Sequence, residues 1–313
     1  MPITRAVAVA QGKGGVGKTS LTTNIGGLAA AGGFRVCIVD LDQQGNVARD
    51  LGFAPDSGED LFASLVSAAP LPLLKDVRPG LDVVPGGPAT GDLASVFASR
   101  MQRGTGDDLA TALEAKLGAI ADNYDLIMID TPPGDRVIVE AALIVSSAVV
   151  VPTRMDEASI DGVTRIAERF VAIRGRNPKL RLAGVVLFAI AQRTTRLERD
   201  VREALTNILE GHAPVFDTRV RYLDSAAADA RRRGLLVHEL EQAGVADKRD
   251  RLATLRAASA IVAADERRAF IAENRDQSLY ASKSSGLAED YESLTRELFV
   301  RLSEIEAEVA VSA

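Results

Sequence analysis

Nine consecutive residues, Gly12-Lys13-Gly14-Gly15-Val16-Gly17-Lys18-Thr19-Ser20, hold four glycines, two lysines and two hydroxyls. That mixture can wrap phosphate. Glycines let the backbone curl until successive N–H groups point at one anion, and a helix starting at the end of the loop adds the positive end of its dipole. Lys18 is placed to neutralise β- and γ-phosphate oxygens, and Thr19 to offer its hydroxyl to Mg2+. Lys13 adds a cation that a plain phosphate loop does not need. Further along, Asp40 and Asp42 close an apolar run in Val39-Asp40-Leu41-Asp42-Gln43-Gln44-Gly45-Asn46, and Asp130 closes another in Asp125-Leu126-Ile127-Met128-Ile129-Asp130-Thr131-Pro132-Pro133-Gly134. A lone strand-ending aspartate serves as a helix cap or turn residue about half the time. Three such segments in this order point to chemistry instead.

The elements that must hold these residues are legible in the hydrophobic pattern. Short β-branched runs at 6–10, 36–41, 81–85, 126–129, 148–151 and 183–188 alternate with segments of helical period at 18–31, 107–122, 159–174 and 195–210. The runs are too continuous to have a wet face, so they predict parallel strands covered by helices on both sides, with chemistry on the loops at their carboxyl ends. The expected fold is α/β, a doubly wound, mostly parallel sheet with a P-loop domain over 1–243. Residues 244–313 are expected to form a helical insertion and a C-terminal helix packed on the same domain. Residues 245–280 carry charges of both signs and no proline, which predicts one long helix or a helical pair. Leu252, Leu255, Ser259 and Val262 recur there at three- and four-residue spacing, an apolar stripe able to pack on the body or on another subunit. A break at 282–286 precedes a final helix with the stripe Leu287, Tyr291, Leu294, Leu298, Leu302, Ile305 and Val309.

Composition narrows the function. With 313 residues, 47% hydrophobic and 26% charged, the chain is a folded globule with room for a full α/β core. One cysteine, Cys37, and two histidines, His212 and His238, exclude a disulfide framework and a metal centre built mainly from cysteine or histidine. A net charge of −6 argues against a wholly basic nucleic-acid binder and leaves room for a local basic face. The apolar runs are too short for a membrane span, and the N-terminus reads as a buried strand rather than a signal peptide, so a cytoplasmic location is expected.

The lysine at position 13 carries a family resemblance. Lys13-Gly14-Gly15-Val16-Gly17-Lys18-Thr19-Ser20 resembles the K-G-G-x-G-K-T/S motif of the deviant Walker A ATPases of the ParA/MinD family. Residues 39–46 resemble that family's D-x-D-P-Q-G-N stretch, with Gln43 in place of the usual proline, and 125–134 resemble its Walker B strand and switch II turn. The resemblance continues more weakly through Val150-Val151-Pro152-Thr153, Gly162 and 216–240. It covers residues 3–243 and the last helix, and 245–285 look like an insertion. It implies an ATP- and Mg2+-dependent ATPase that closes as a nucleotide-sandwich homodimer. In that cycle Lys13 reaches the partner's ATP, Lys18 neutralises phosphate and Asp42 orients the attacking water. Asp40 is implied as a supporting acid near magnesium, and Asp130 as the holder of a magnesium water. The helix-turn-helix that precedes the loop in longer plasmid ParA proteins is not expected here.

Within 192–233, nine arginines stand against seven acids, densest at Arg219, Arg221 and Arg231-Arg232-Arg233. Such arginines hold non-specific double-stranded DNA in ParA proteins once ATP has closed the dimer, so the resemblance implies that role for these five, with salt-sensitive binding. It also implies nucleoid association and a ParB-type centromere-binding partner that stimulates slow hydrolysis, the work being plasmid, phage or chromosome partition. Positioning a protein cargo by the same cycle is the alternative. A MinD-like, membrane-associated ATPase needs a basic amphipathic tail. Here acids outnumber bases seven to two from Glu289 to the end, so no membrane partner is expected. Relatives that depend on cysteines, such as the nitrogenase iron protein, are set aside. Thr153-Arg154-Met155-Asp156 also looks like a guanine-reading T-K-x-D motif, although Arg154 stands where the lysine that packs on the base belongs. A scaffold with a dead nucleotide site is disfavoured because Lys18, Thr19, Asp42 and Asp130 are all present.

Overall fold

Side chains alternate across a strand, so a run that is apolar at every position needs cover on both faces. The computed structural model, which describes residues 3, 5–104, 106–191, 195–211, 213–273 and 285–311, provides it. Its strands are β1 (Ala6–Val9), β2 (Val36–Asp40), β3 (Leu74–Arg78), β4 (Leu81–Val84), β5 (Leu126–Asp130), β6 (Ala148–Thr153), β7 (Arg181–Ile190) and β8 (Val220–Arg221). They form one eight-stranded sheet in the order β3-β4-β2-β5-β1-β6-β7-β8, parallel throughout except for β3 against β4. All six expected strands are present. The two that sequence reading missed are edge strands: β3 is mostly exposed and charged, and β8 has only two residues.

The helices are α1 (Lys18–Ala31), α2 (Asn46–Leu51), α3 (Glu59–Val66), α4 (Leu93–Arg103), α5 (Leu109–Gly118), α6 (Arg136–Val145), α7 (Glu157–Ile173), α8 (Thr195–Leu209), α9 (Asp224–Arg233), α10 (Val237–Ser259), α11 (Ala264–Glu273) and α12 (Ser285–Val311). On one face of the sheet Ala6, Ala8, Val39 and Ile129 pack against α5, α6, α7 and α8. On the other, Val7, Val9, Ile38 and Met128 pack against α1, α9 and the stripe of α12. The helix expected at 107–122 ends at Gly118, followed by a 3-10 turn over Ala121–Asn123.

The segment expected as one helix or a pair is a pair, α10 and α11, and the boundary expected between 243 and 244 falls inside α10. Residues 274–284, which include most of the expected break at 282–286, lie outside the described residues, as does His212. Three acids of α12 fasten it to the rest of the fold. Glu306 pairs with Arg5 at 2.5 Å, Asp290 accepts from Arg221, and Glu297 accepts the backbone N–H groups of Asp217 and Thr218. Arg78, at the end of β3, donates to the carbonyls of Leu51 (3.2 Å) and Gly234 (2.9 Å) and pairs with Glu239 at 2.6 Å. It thereby joins the last residue of α2 and the glycine that caps α9 to the first turn of α10. Among the described residues no helix is long and apolar enough to cross a membrane.

Candidate active site

The phosphate loop follows β1, whose neighbours β5 and β6 bring two further strand ends to the same rim. Gln11 sets the loop's entrance. Fully buried, it donates from Nε2 to the carbonyls of Pro152 (3.2 Å) and Ser159 (3.1 Å) and accepts the Gly12 N–H at Oε1 (2.7 Å). Sequence reading missed it, because nothing in the pattern separates this glutamine from any polar residue after a strand. Gly162 leaves it room, since a Cβ there would lie 2.0 Å from Gln11 Oε1. The loop itself turns through Gly15 (φ 72°) and Gly17 (φ 93°), left-handed values that favour glycine. Gly17 is doubly constrained, for a Cβ would meet the Phe188 ring at 2.3 Å.

Lys18 opens α1 almost fully buried and donates to the Lys13 carbonyl at 3.3 Å. Burial pulls its pKa below the ordinary value, opposed by the charges of Asp130 and then Asp42. Thr19 donates to Asp130 Oδ2 at 2.6 Å, while Asp130 Oδ1 is buried without a hydrogen-bond partner. Burial first, and then the neighbouring charge of Asp40, push Asp130 well above the usual carboxylate range. Asp40 spends both oxygens on the following turn, accepting the N–H of Asp42 (2.9 Å) and of Val47 (3.2 Å), and burial pushes its pKa up to about 7. Asp42, raised mainly by burial, accepts the Gln44 N–H at 3.0 Å. The structure thus gathers Lys18, Thr19, Asp40, Asp42 and Asp130 around the loop. Asp40 shapes the turn that presents Asp42.

Lys13 points elsewhere. Its Nζ lies 2.6 Å from Asp156 Oδ1 and 3.3 Å from Ser159 Oγ, at the N-terminus of α7. Asp156 is the N-cap of that helix, accepting the Ser159 N–H at 2.9 Å, so the residue of the guanine-like motif is engaged in capping and in holding Lys13. Beside the loop opens a cavity of about 680 Å³ whose lining includes Gly15, Gly17, Ser20, Arg154, Phe188 and Tyr222. That volume suits a nucleotide-sized ligand.

Of the expected DNA-binding arginines, Arg221, Arg231 and Arg232 line that same cavity, and most of the five have acid partners. Arg219 pairs with Glu198, Arg221 with Asp290 (2.7 Å), Arg231 with Asp50 (2.9 Å) and Arg232 with Asp229. Arg231 also reaches Ser20 Oγ at 3.4 Å. Arg232 and Arg233, in the last turn of α9, are exposed.

Comparison with known proteins agrees with this geometry. A family model described as an AAA domain matches residues 4–182. The chromosome partitioning protein ParA of Caulobacter vibrioides is 35% identical over 207 residues, which span 63% of this chain and 75% of that protein. The chain belongs to the ParA/MinD-type family of P-loop ATPases. Among solved structures, the ATP complex of a Cyanothece McdA variant superposes with a TM-score of 0.70 at 15% identity, covering 95% of this chain and 97% of that one. Cobyrinic acid a,c-diamide synthase from Mycobacterium smegmatis, solved with ADP and magnesium, gives 0.62 at 27% identity, covering 74% and 91%. Family membership gives the Lys13–Ser20 loop of this ParA/MinD-type chain its context.

The residues present suit magnesium. Among those described, no three side chains of His, Cys, Asp or Glu form a ready-made cage. The donors at the loop are a hydroxyl, Thr19, and a carboxylate, Asp130, with one uncommitted oxygen. Mg2+ takes few protein ligands and keeps the rest of its octahedron for water and phosphate.

Proposed function

We propose that this protein is an ATP-driven dimerising switch that binds double-stranded DNA without sequence preference in its ATP state and segregates a replicon together with a ParB-type partner. The observation that carries the reading is the division of labour between two lysines of one loop. Lys18 is buried in its own cradle, while Lys13 stands at the mouth of the site with a third of its side chain exposed, where a second copy could receive it. Kinship with a chromosome partitioning protein supports the choice of DNA as cargo.

The chain's own groups would act mainly by position and charge. The loop N–H groups and Lys18 would hold the β- and γ-phosphates, and Thr19 and Asp130 would hold the magnesium ion. That ion, when bound, neutralises charge on the phosphate oxygens. Asp42, presented by the turn that Asp40 braces, orients the attacking water. Lys13 leaves Asp156 and contacts the partner's nucleotide in the closed dimer. Hydrolysis reopens the dimer and releases DNA.

DNA retention measured without nucleotide and with ADP, ATP or GTP, each at low and high salt, tests this. The reading expects retention only with ATP, lost at high salt. Binding that ignores the nucleotide, or none in any state, sinks it.

A further inference from the structure

The distal part of α10 presents an apolar seam that no other described residue covers. Val245, Leu252 and Leu255 are 65%, 48% and 45% exposed, and Val262, just past the helix end, is 93% exposed. At 100° per residue Val245, Lys248, Leu252, Leu255 and Ser259 fall on one side of the helix. Gly244, Asp247, Thr254 and Ala258 fall on another, and that is the partly or fully buried side. The exposed positions follow the alternating three- and four-residue spacing of a coiled-coil seam. Leucines left half exposed on this helix gain little of the stabilisation that burial would give them.

Charge selects the occupant. Lys248 lies within the seam and Arg249 and Arg256 flank it, all three exposed, whereas Asp247 and Asp250 lie towards the other faces and Glu241 is the one acid on the seam side, a turn before Val245. Lys248 and Arg256 have no carboxylate partner among the described residues, and Arg249 has only Asp250, at 3.8 Å. A second copy of the same helix would set arginine against arginine. A lipid surface would find three aliphatic side chains and no aromatic anchor along α10, too little for interfacial binding. We infer that this face of α10 is a docking site for an acidic amphipathic helix of a partner protein, held by coiled-coil packing and by carboxylates against Lys248, Arg249 and Arg256.

The test uses the full chain and two designed helical peptides with identical apolar heptads, one carrying glutamate and the other lysine at the flanking positions, with anionic phosphatidylglycerol vesicles as a third probe. The inference expects the acidic peptide to bind and the basic peptide and vesicles not to. Leu252→Gln with Leu255→Gln, which keeps good helix formers on an exposed face, should weaken the acidic peptide about a hundredfold. Arg249→Glu with Arg256→Glu should weaken it about tenfold and admit the basic peptide. No binding of the acidic peptide overturns the inference. So does equal binding of both peptides, vesicle binding lost in the leucine variant, or self-association lost in the same variant.

Discussion

Lys13 Nζ lies 2.6 Å from Asp156 Oδ1, so the lysine that distinguishes this loop is tied to the helix beside it. Both groups are more than a third exposed, and a pair of that kind contributes about 0.2–1 kcal/mol. For dimerisation that contribution opposes Lys13 leaving for a partner. Asp156→Asn removes the charge and keeps a competent N-cap. It should tighten ATP-dependent dimerisation by up to about fivefold in sedimentation measurements. A weaker dimer would show instead that Asp156 is needed across the interface.

Lys18 and Asp42 should separate binding from turnover. Lys18→Ala should abolish ATP binding in titration calorimetry, and retained affinity would contradict its place on the phosphates. Asp42→Ala should bind ATP and dimerise while steady-state hydrolysis falls by at least about 100-fold. Normal turnover would remove Asp42 from water activation.

The arginines should divide into two groups. Arg221 is held in a two-pronged pair with Asp290, itself 8% exposed, so Arg221→Glu should cost about 1–3 kcal/mol and lower the melting temperature by several degrees. Arg233→Glu, on the exposed end of α9, should leave melting almost unchanged and weaken ATP-dependent DNA retention, whereas Arg232→Glu would also strip buried Asp229 of its partner. If retention is unchanged, the DNA surface lies elsewhere.

Acid titration reports on the buried carboxylates. Asp40 ionises near 4 when unfolded and at about 7 in the fold, so the folded state holds the extra proton between those values. Its contribution is complete below about pH 4 and is lost as pH rises through about 7, with a slope of up to about 1.4 kcal/mol per unit. Asp130, raised for the same reason, adds in the same direction. Without nucleotide, urea unfolding should therefore show stability falling from about pH 5 to about pH 7.5, and Mg2+-ATP should flatten that fall by compensating the ionised acids. A stability that rises over this range would refute the assignment.

Much of this was legible in the sequence because the decisive signals are local. The loop between β1 and α1, the acid ending β5 and the seven-residue stripe of α12 are each contained in one segment, and the six apolar runs became strands. Long-range pairing was not legible. Arg219, Arg221 and Arg231 read as a basic patch, yet their partners lie 21, 69 and 181 residues away. A single chain shows charges but not which acids the fold brings to them. Gln11 and Arg78 escaped notice for the same reason, since each acts on backbone carbonyls supplied by distant elements.

Arg78 has a mechanical consequence. Because it binds the last residue of α2, the glycine that caps α9 and the first turn of α10, a shift of the turn after Asp42 carries both helix ends with it. The 23 residues of α10 reach about 34 Å from that fulcrum at 1.5 Å per residue. A rotation of one degree at its foot would move its far end by about 0.6 Å, so any such shift would be felt most towards the end of α10 that displays Leu252 and Leu255.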